Sequence, residues 1–143
     1  MRDFTKYKDC VYEVIGAAMD VYNELEFGLR ETVYQEALAL ELISRGILCE
    51  REKEVHIFYK DEELKQFYKL DLLVENDIIV ETKGVVELCA EHRAQLFNYI
   101  RLTKKPVGIL INFGDYKNIQ GERYVLEENN FCYRVDKNMR TLQ

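Results

Sequence analysis

The chain has 143 residues, a formal net charge of −6 and four cysteines, with 48% hydrophobic and 32% charged residues. This balance fits one domain over residues 1–143 rather than a disordered chain. It also argues against a protein that coats nucleic acid non-specifically, a task for basic surfaces. No apolar run approaches the roughly 18 residues that span a bilayer, and the residues after Met1 are too charged for a secretory signal. The expectation is a cytoplasmic protein without membrane contact. Cys10, Cys49, Cys89 and Cys132 stand singly, none at zinc-ligand spacing, and read as reduced thiols.

Residues 7–25 read as a helix, because Val11, Val14, Ile15, Ala18, Tyr22 and Leu25 fall on one stripe. Gly28 turns the chain, and a second helix follows over 31–45 with Val33, Ala37, Leu38 and Leu42 inward and Gly46 beyond its end. From 50 to 59 the pattern alternates as in a strand, and Lys60-Asp61-Glu62-Glu63 reads as a charged turn. Strands are expected at 66–74 and 78–85, and helical spacing returns over 90–103. Pro106 precludes its continuation, and an apolar strand follows over 107–113. Residues 114–121 read as loop, with weaker strands at 123–126 and 131–135. The order predicts a mixed sheet with helices packed on it.

The two strands in the middle of the chain carry charges where stability alone would not place them. Asp71 interrupts Leu70-Asp71-Leu72-Leu73-Val74, and Glu81 and Lys83 end Ile78-Ile79-Val80-Glu81-Thr82-Lys83. A buried, unpaired charge costs several kcal/mol or more, so such groups hold one another, a metal ion or a substrate. Glu81 and Lys83 point the same way along their strand. Glu75-Asn76-Asp77 signals the turn between the strands. A three-residue loop there pairs Val74 with Ile78 and Asp71 with Glu81, placing both acids and Lys83 on one face. A two-residue loop pairs Asp71 with Thr82 and separates the acids unless a bulge intervenes. The three-residue loop, or an equivalent bulge, is the expectation.

Two converging carboxylates repel unless a cation lies between them, and an all-oxygen ligand set suits Mg²⁺ or Mn²⁺. Such an ion activates water and stabilises charge on a phosphoryl oxygen, and a neighbouring lysine can orient that water. The acid-x-lysine pattern is itself common. It also occurs at Glu63-Leu64-Lys65 and Asp115-Tyr116-Lys117, in polar surroundings that read as solvated surface. The competing reading of the middle strands is a structural ion-pair network.

Two flanking groups could join the site. His92, Gln95 and Tyr99 share one face of the 90–103 helix, and Glu31 stands at the start of the second helix. A carboxylate at a helix start is also a favourable dipole partner. Lys104, Lys105 and Arg101 could track a phosphate backbone, though a solvated face is the ordinary reading.

Gly28-Leu29-Arg30-Glu31-Thr32-Val33-Tyr34 resembles the signature of the GxxExxY proteins, assigned to the PD-(D/E)XK nuclease superfamily. The likeness continues in order through Tyr34-Gln35-Glu36-Ala37-Leu38, Lys69-Leu70-Asp71-Leu72-Leu73-Val74, Glu81-Thr82-Lys83, the segment from Ala94 to Thr103 and that from Val107 to Gly114. It implies an α/β, restriction-endonuclease-like fold with a mixed central sheet flanked by helices on both sides. By the same resemblance Asp71 and Glu81, with the Thr82 carbonyl, would bind Mg²⁺ (or Mn²⁺), and Lys83 would serve the attacking water. Glu31 would assist, and Gln95 and Tyr99 resemble the QxxxY element of RecB-like nucleases. The proline that usually precedes the motif acid is absent. The implied function is a Mg²⁺-dependent nuclease acting on nucleic acid; DNA is the expected partner, with RNA left open and a homodimer as one arrangement. The alternative is a non-catalytic nucleic-acid-binding or interaction protein that keeps the fold.

Overall fold

The structure, a computed structural model, describes residues 2–142. After a short 3-10 turn the chain forms two helices, α1 (Lys8–Leu25) and α2 (Glu31–Ser44). Three strands follow: β1 (Cys49–Tyr59), β2 (Glu62–Val74) and β3 (Ile78–Lys83). Then come α3 (Ala90–Thr103), β4 (Val107–Asn112), β5 (Gln120–Leu126) and β6 (Cys132–Val135). The strands make one sheet in chain order, β1-β2-β3-β4-β5-β6. Among the described strands only β3 and β4 run parallel, and the crossover between them is α3.

Both faces of the central strands are covered, which explains why β4 reads as an unbroken apolar run. Leu72, Val74, Ile78, Val80, Ile109 and Ile111 pack toward α1 and α2. Leu73, Ile79 and Leu110 pack toward Leu96, Tyr99 and Ile100 of α3. The fold is therefore the α/β arrangement with helices on both sides that the sequence implies. Gly108 permits the close approach of α3, since a Cβ there would lie 2.5 Å from Ile100 Cδ1.

The turn between β2 and β3 has the expected three residues, with Val74 paired to Ile78, Leu73 to Ile79 and Leu72 to Val80. Glu75 and Asn76 both adopt positive φ, 50° and 63°, and the Asp77 N–H closes the turn on the Val74 carbonyl at 3.1 Å. Two consecutive left-handed residues match the twist of the hairpin. The Glu75 side chain is fixed there, its Oε1 accepting the Leu48 N–H at 3.1 Å.

Several expectations from the sequence need correction. Val33 is 40% exposed instead of inward. The helix is turned so that Tyr34, Gln35, Leu38 and Leu42 face the sheet. The charged turn after β1 is shorter than four residues: Glu62 and Glu63 already pair with Tyr59 and Phe58. β2 consequently begins at Glu62 rather than 66, and its outer half pairs only with β1. β3 ends at Lys83 rather than Val85, and β5 starts at Gln120, within the expected loop. All four cysteines are free; three are half-buried and Cys89, at the head of α3, is exposed.

Candidate functional site

The β2–β3 ladder ends at the Leu72–Val80 pair, and at the next step the two strands are joined through side chains. Glu81 Oε1 accepts the Asp71 N–H at 3.1 Å. Asp71 Oδ2 accepts the Thr82 N–H at 2.8 Å and the Thr82 hydroxyl at 3.0 Å. Two acids thus occupy the place of the next ladder bonds and hold the strands apart. On the other side of β2 the pairing is also irregular, because Glu52, opposite Asp71, has a φ of 53° and drops out of the β1–β2 ladder. Asp71 therefore sits at a local break on both sides of its strand.

Glu81 is 3% exposed. Burial, and then the Asp71 charge beside it, push its pKa well above the ordinary carboxyl value. Lys83 lowers it, but is the least of the causes; its Nζ donates to Gln95 Oε1 at 2.8 Å. Among the described residues no ion pair joins Lys83, or another cation, to Asp71 or Glu81. An internal ion-pair network is thus not what holds Asp71 half-buried and Glu81 buried here. Tyr99, one turn beyond Gln95, is 6% exposed and stacks obliquely on Tyr68 of β2, ring centres 5.4 Å apart. Burial, followed by Glu81 and Asp71, pushes its pKa up to about 12, which places its hydroxyl in the field of the two carboxyls.

Glu31 approaches from the other layer. Its Oε1 accepts the Gly84 N–H at 3.0 Å, one residue past Lys83. The spacing from Glu31 to Tyr34 explains how it gets there. The Tyr34 hydroxyl accepts the Leu29 N–H at 3.1 Å and donates to the Glu26 carbonyl, pinning the loop before α2. Its ring stacks on Phe113 with centres 4.6 Å apart. One turn earlier on the same helix, Glu31 is thereby delivered to the end of β3. Asp71, Glu81, Lys83, Gln95 and Tyr99 come together beneath α3, whereas Glu31 stands at the edge of that group. Among the described residues no three acidic, histidine or cysteine side chains converge as a ready ligand set.

His92, which shares a helix face with Gln95 and Tyr99, does not join the site. Its Nδ1 accepts the Cys89 N–H at 3.1 Å and caps α3.

Sequence reasoning missed Asn112, which is fully buried opposite Lys83. Its Nδ2 donates to the Val85 carbonyl and to Gln120 Oε1, both at 2.8 Å. Its Oδ1 accepts the Val85 and Gly114 amides, both at 3.0 Å. It therefore braces the chain immediately after the lysine. The available signal was a polar amide closing a wholly apolar strand. Gly114 belongs to the same brace, since a Cβ there would lie 2.2 Å from the Val85 carbonyl oxygen. Glu122 was missed as well. It is held by Arg93 of α3 through bonds of 2.8 and 2.9 Å and by the Tyr124 hydroxyl at 2.6 Å.

The donor set is hard and oxygen-rich: two adjoining carboxyls, with burial and the Asp71 charge opposing ionisation of Glu81, and a Thr82 carbonyl that strand geometry turns the same way as its N–H, toward Asp71. Such a set fits a divalent cation of the Mg²⁺ or Mn²⁺ kind, whose charge would allow both acids to ionise. A mixed sheet with helices on both faces, carrying Asp71 on one strand and Glu81-x-Lys83 on the next, defines a restriction-endonuclease-like protein. Residues 8–124 match the PD-(D/E)XK nuclease superfamily, and the chain belongs to it. Neither a curated protein nor a solved structure matches the chain. No described helix is long and apolar enough to cross a membrane.

Proposed function

We propose that the protein is a Mg²⁺- or Mn²⁺-dependent nuclease that hydrolyses phosphodiester bonds of DNA. The observation that carries this reading is the joined Asp71 and Glu81 carboxyls, half-buried and buried, which lack a protein cation because Lys83 is held by Gln95 instead. Superfamily membership supports a nuclease-type activity, and the donor set supports the ion. Asp71 and Glu81, with the Thr82 carbonyl, would be its ligands, and Glu31, held on the Gly84 N–H, would assist them. When bound, the ion would supply Lewis-acid stabilisation of the phosphoryl oxygens and acidify a water.

The chain's own groups do the rest. Gln95 holds Lys83 Nζ by its carbonyl oxygen, which leaves the remaining ammonium protons for the attacking water or the phosphate. Tyr99, kept neutral by burial and by the nearby acids, offers its hydroxyl as a donor to a non-bridging phosphate oxygen. Asn112 and Glu31 fix the backbone after Lys83 from two directions, and so keep the lysine in register with the acids. Gly28, Glu31 and Tyr34 support the narrower grouping with GxxExxY proteins, because the motif has a structural task in delivering Glu31. A duplex substrate would call for two such sites, supplied by a second copy of the chain.

Incubation with single-stranded, duplex and branched DNA and with RNA, with Mg²⁺ or Mn²⁺ and with chelator, tests the reading. Metal-dependent cleavage of DNA that Lys83→Ala abolishes without unfolding is expected. No cleavage of any of the four would contradict it.

A further inference from the structure

The Nε of Arg123 is a buried donor without a partner among the described residues. Arg123 is the middle residue of β5, paired with Ile109 and Val135. Strand alternation turns it with Val125 toward the α1 side, the sheet face opposite Tyr99 and α3. No carboxylate of the described residues lies within ion-pair distance of it. Burial accordingly pushes its pKa below the usual guanidinium value. Asp136 is the acid whose charge it feels, and that carboxylate is already taken by the Asn138 and Arg140 amides at 2.8 and 3.1 Å. In a chain of net charge −6, a half-buried arginine left without a counter-ion calls for a ligand that supplies one.

The space around Arg123 is suited to such a ligand. It borders a cavity of about 340 Å³ between α1, β5 and the loop before β5. Lys117 and the side-chain amides of Asn23 and Asn118 share the lining, and no carboxylate does. Ile15, Met19 and Ile119 form an aliphatic wall. Gly121 keeps that wall close, since a Cβ there would lie 3.1 Å from Ile15 Cδ1. Two cations, an aliphatic wall and two amides in one lining are the features that recognise a phosphate joined to a flat heterocycle.

We infer that this cavity binds a nucleoside monophosphate, with the phosphate on Arg123 and Lys117, the base against the Ile15–Met19–Ile119 wall and its polar edge toward Asn23 and Asn118. The site lies across the sheet from Asp71 and Glu81, so it does not depend on the nuclease reading.

Calorimetric titration of the full chain in chelator, first with AMP, GMP, CMP and UMP and then with inorganic phosphate, tests it. At least one nucleotide is expected to bind, with phosphate competing for the same site more weakly. Arg123→Gln should weaken binding by about tenfold or more, the scale of a lost charge-assisted contact. Lys117→Ala, on the exposed loop, should weaken it several-fold and decides the matter if the arginine variant fails to fold. No nucleotide binding at millimolar concentration, affinity unchanged in the variants, or phosphate binding as tightly as the nucleotides would each overturn the assignment. Cleavage is not the readout, so the result stands apart from the nuclease test.

Discussion

Asp71 and Glu81 each occupy a backbone amide of the opposite strand: Glu81 takes the Asp71 N–H at 3.1 Å, and Asp71 takes the N–H of Thr82 at 2.8 Å. The carboxyls are thus built into the sheet where its ladder stops. Lys83 is held by Gln95 rather than by either acid, and the two carboxyls repel each other in a way that a bound cation would relieve.

The first consequence concerns stability without metal. A carboxyl whose pKa is raised in the folded state, as Glu81's is, confers stability that is complete below the unfolded pKa of about 4.3. That stability is lost as pH rises through the folded value. In chelator the wild type should therefore lose stability relative to Glu81→Gln as pH goes from 5 to 8. At pH 8 the glutamine variant should be the more stable, by about 1–3 kcal/mol. Urea unfolding of both proteins across that range checks this, and parallel stability curves would refute it.

The second concerns the lysine. Lys83→Ala should lower DNA cleavage at least about a hundredfold, the scale of a lost general acid–base or water-positioning group. Gln95→Leu leaves the ammonium present but unheld, and should cost less, about tenfold. Initial rates at saturating Mg²⁺ would show the order. A Gln95 variant as impaired as the Lys83 variant would mean that Gln95 does more than hold the lysine.

The third concerns the Glu31–Tyr34 pair. Tyr34→Phe keeps the stack on Phe113 but removes both hydrogen bonds to the loop before α2. The expected loss is about 1–2 kcal/mol, together with a cleavage defect like that of Glu31→Ala. Denaturant unfolding and cleavage rates, measured on the same preparations, test the link. A full loss of stability with unchanged cleavage would separate Tyr34 from the site.

The fourth lies at the acid end of the pH range. Glu122 is held below the usual carboxylate range mainly by the Arg93 guanidinium. A depressed pKa gives stability that is present above the unfolded pKa and is lost as pH falls toward the folded value. Glu122→Gln should cost about 2 kcal/mol at pH 7, a figure reduced by the exposure of Arg93, and the cost should shrink below pH 4. A cost independent of pH would point to packing alone.

What the sequence revealed, and what it hid, follows from how far apart the interacting groups lie. The β2–β3 hairpin was legible because Glu75-Asn76-Asp77 is a local turn signal between apolar runs, and it narrowed the register to two loop lengths, of which the structure has the expected three-residue one. The boundaries of α3 were legible for a similar reason. The outer half of β2 was not, because it is exposed on both faces and shows no alternation of burial. His92 looked like a site residue because spacing tells which helix face a side chain shares, not whether it folds back to cap the helix. Asn112 and the Arg93–Glu122 pair were hidden because their partners are 27 and 29 residues away. The parting of the strands at Asp71 has no sequence signature, since the amides involved belong to the backbone.

Binding of Mn²⁺, followed by electron paramagnetic resonance in solution, tests the central claim most directly. The wild type and Lys83→Ala should each take up one ion with similar affinity, while Asp71→Asn and Glu81→Gln should bind it at least about tenfold more weakly. Wild-type protein that leaves Mn²⁺ free, or carboxyl variants that hold it as tightly as the wild type, would contradict the account.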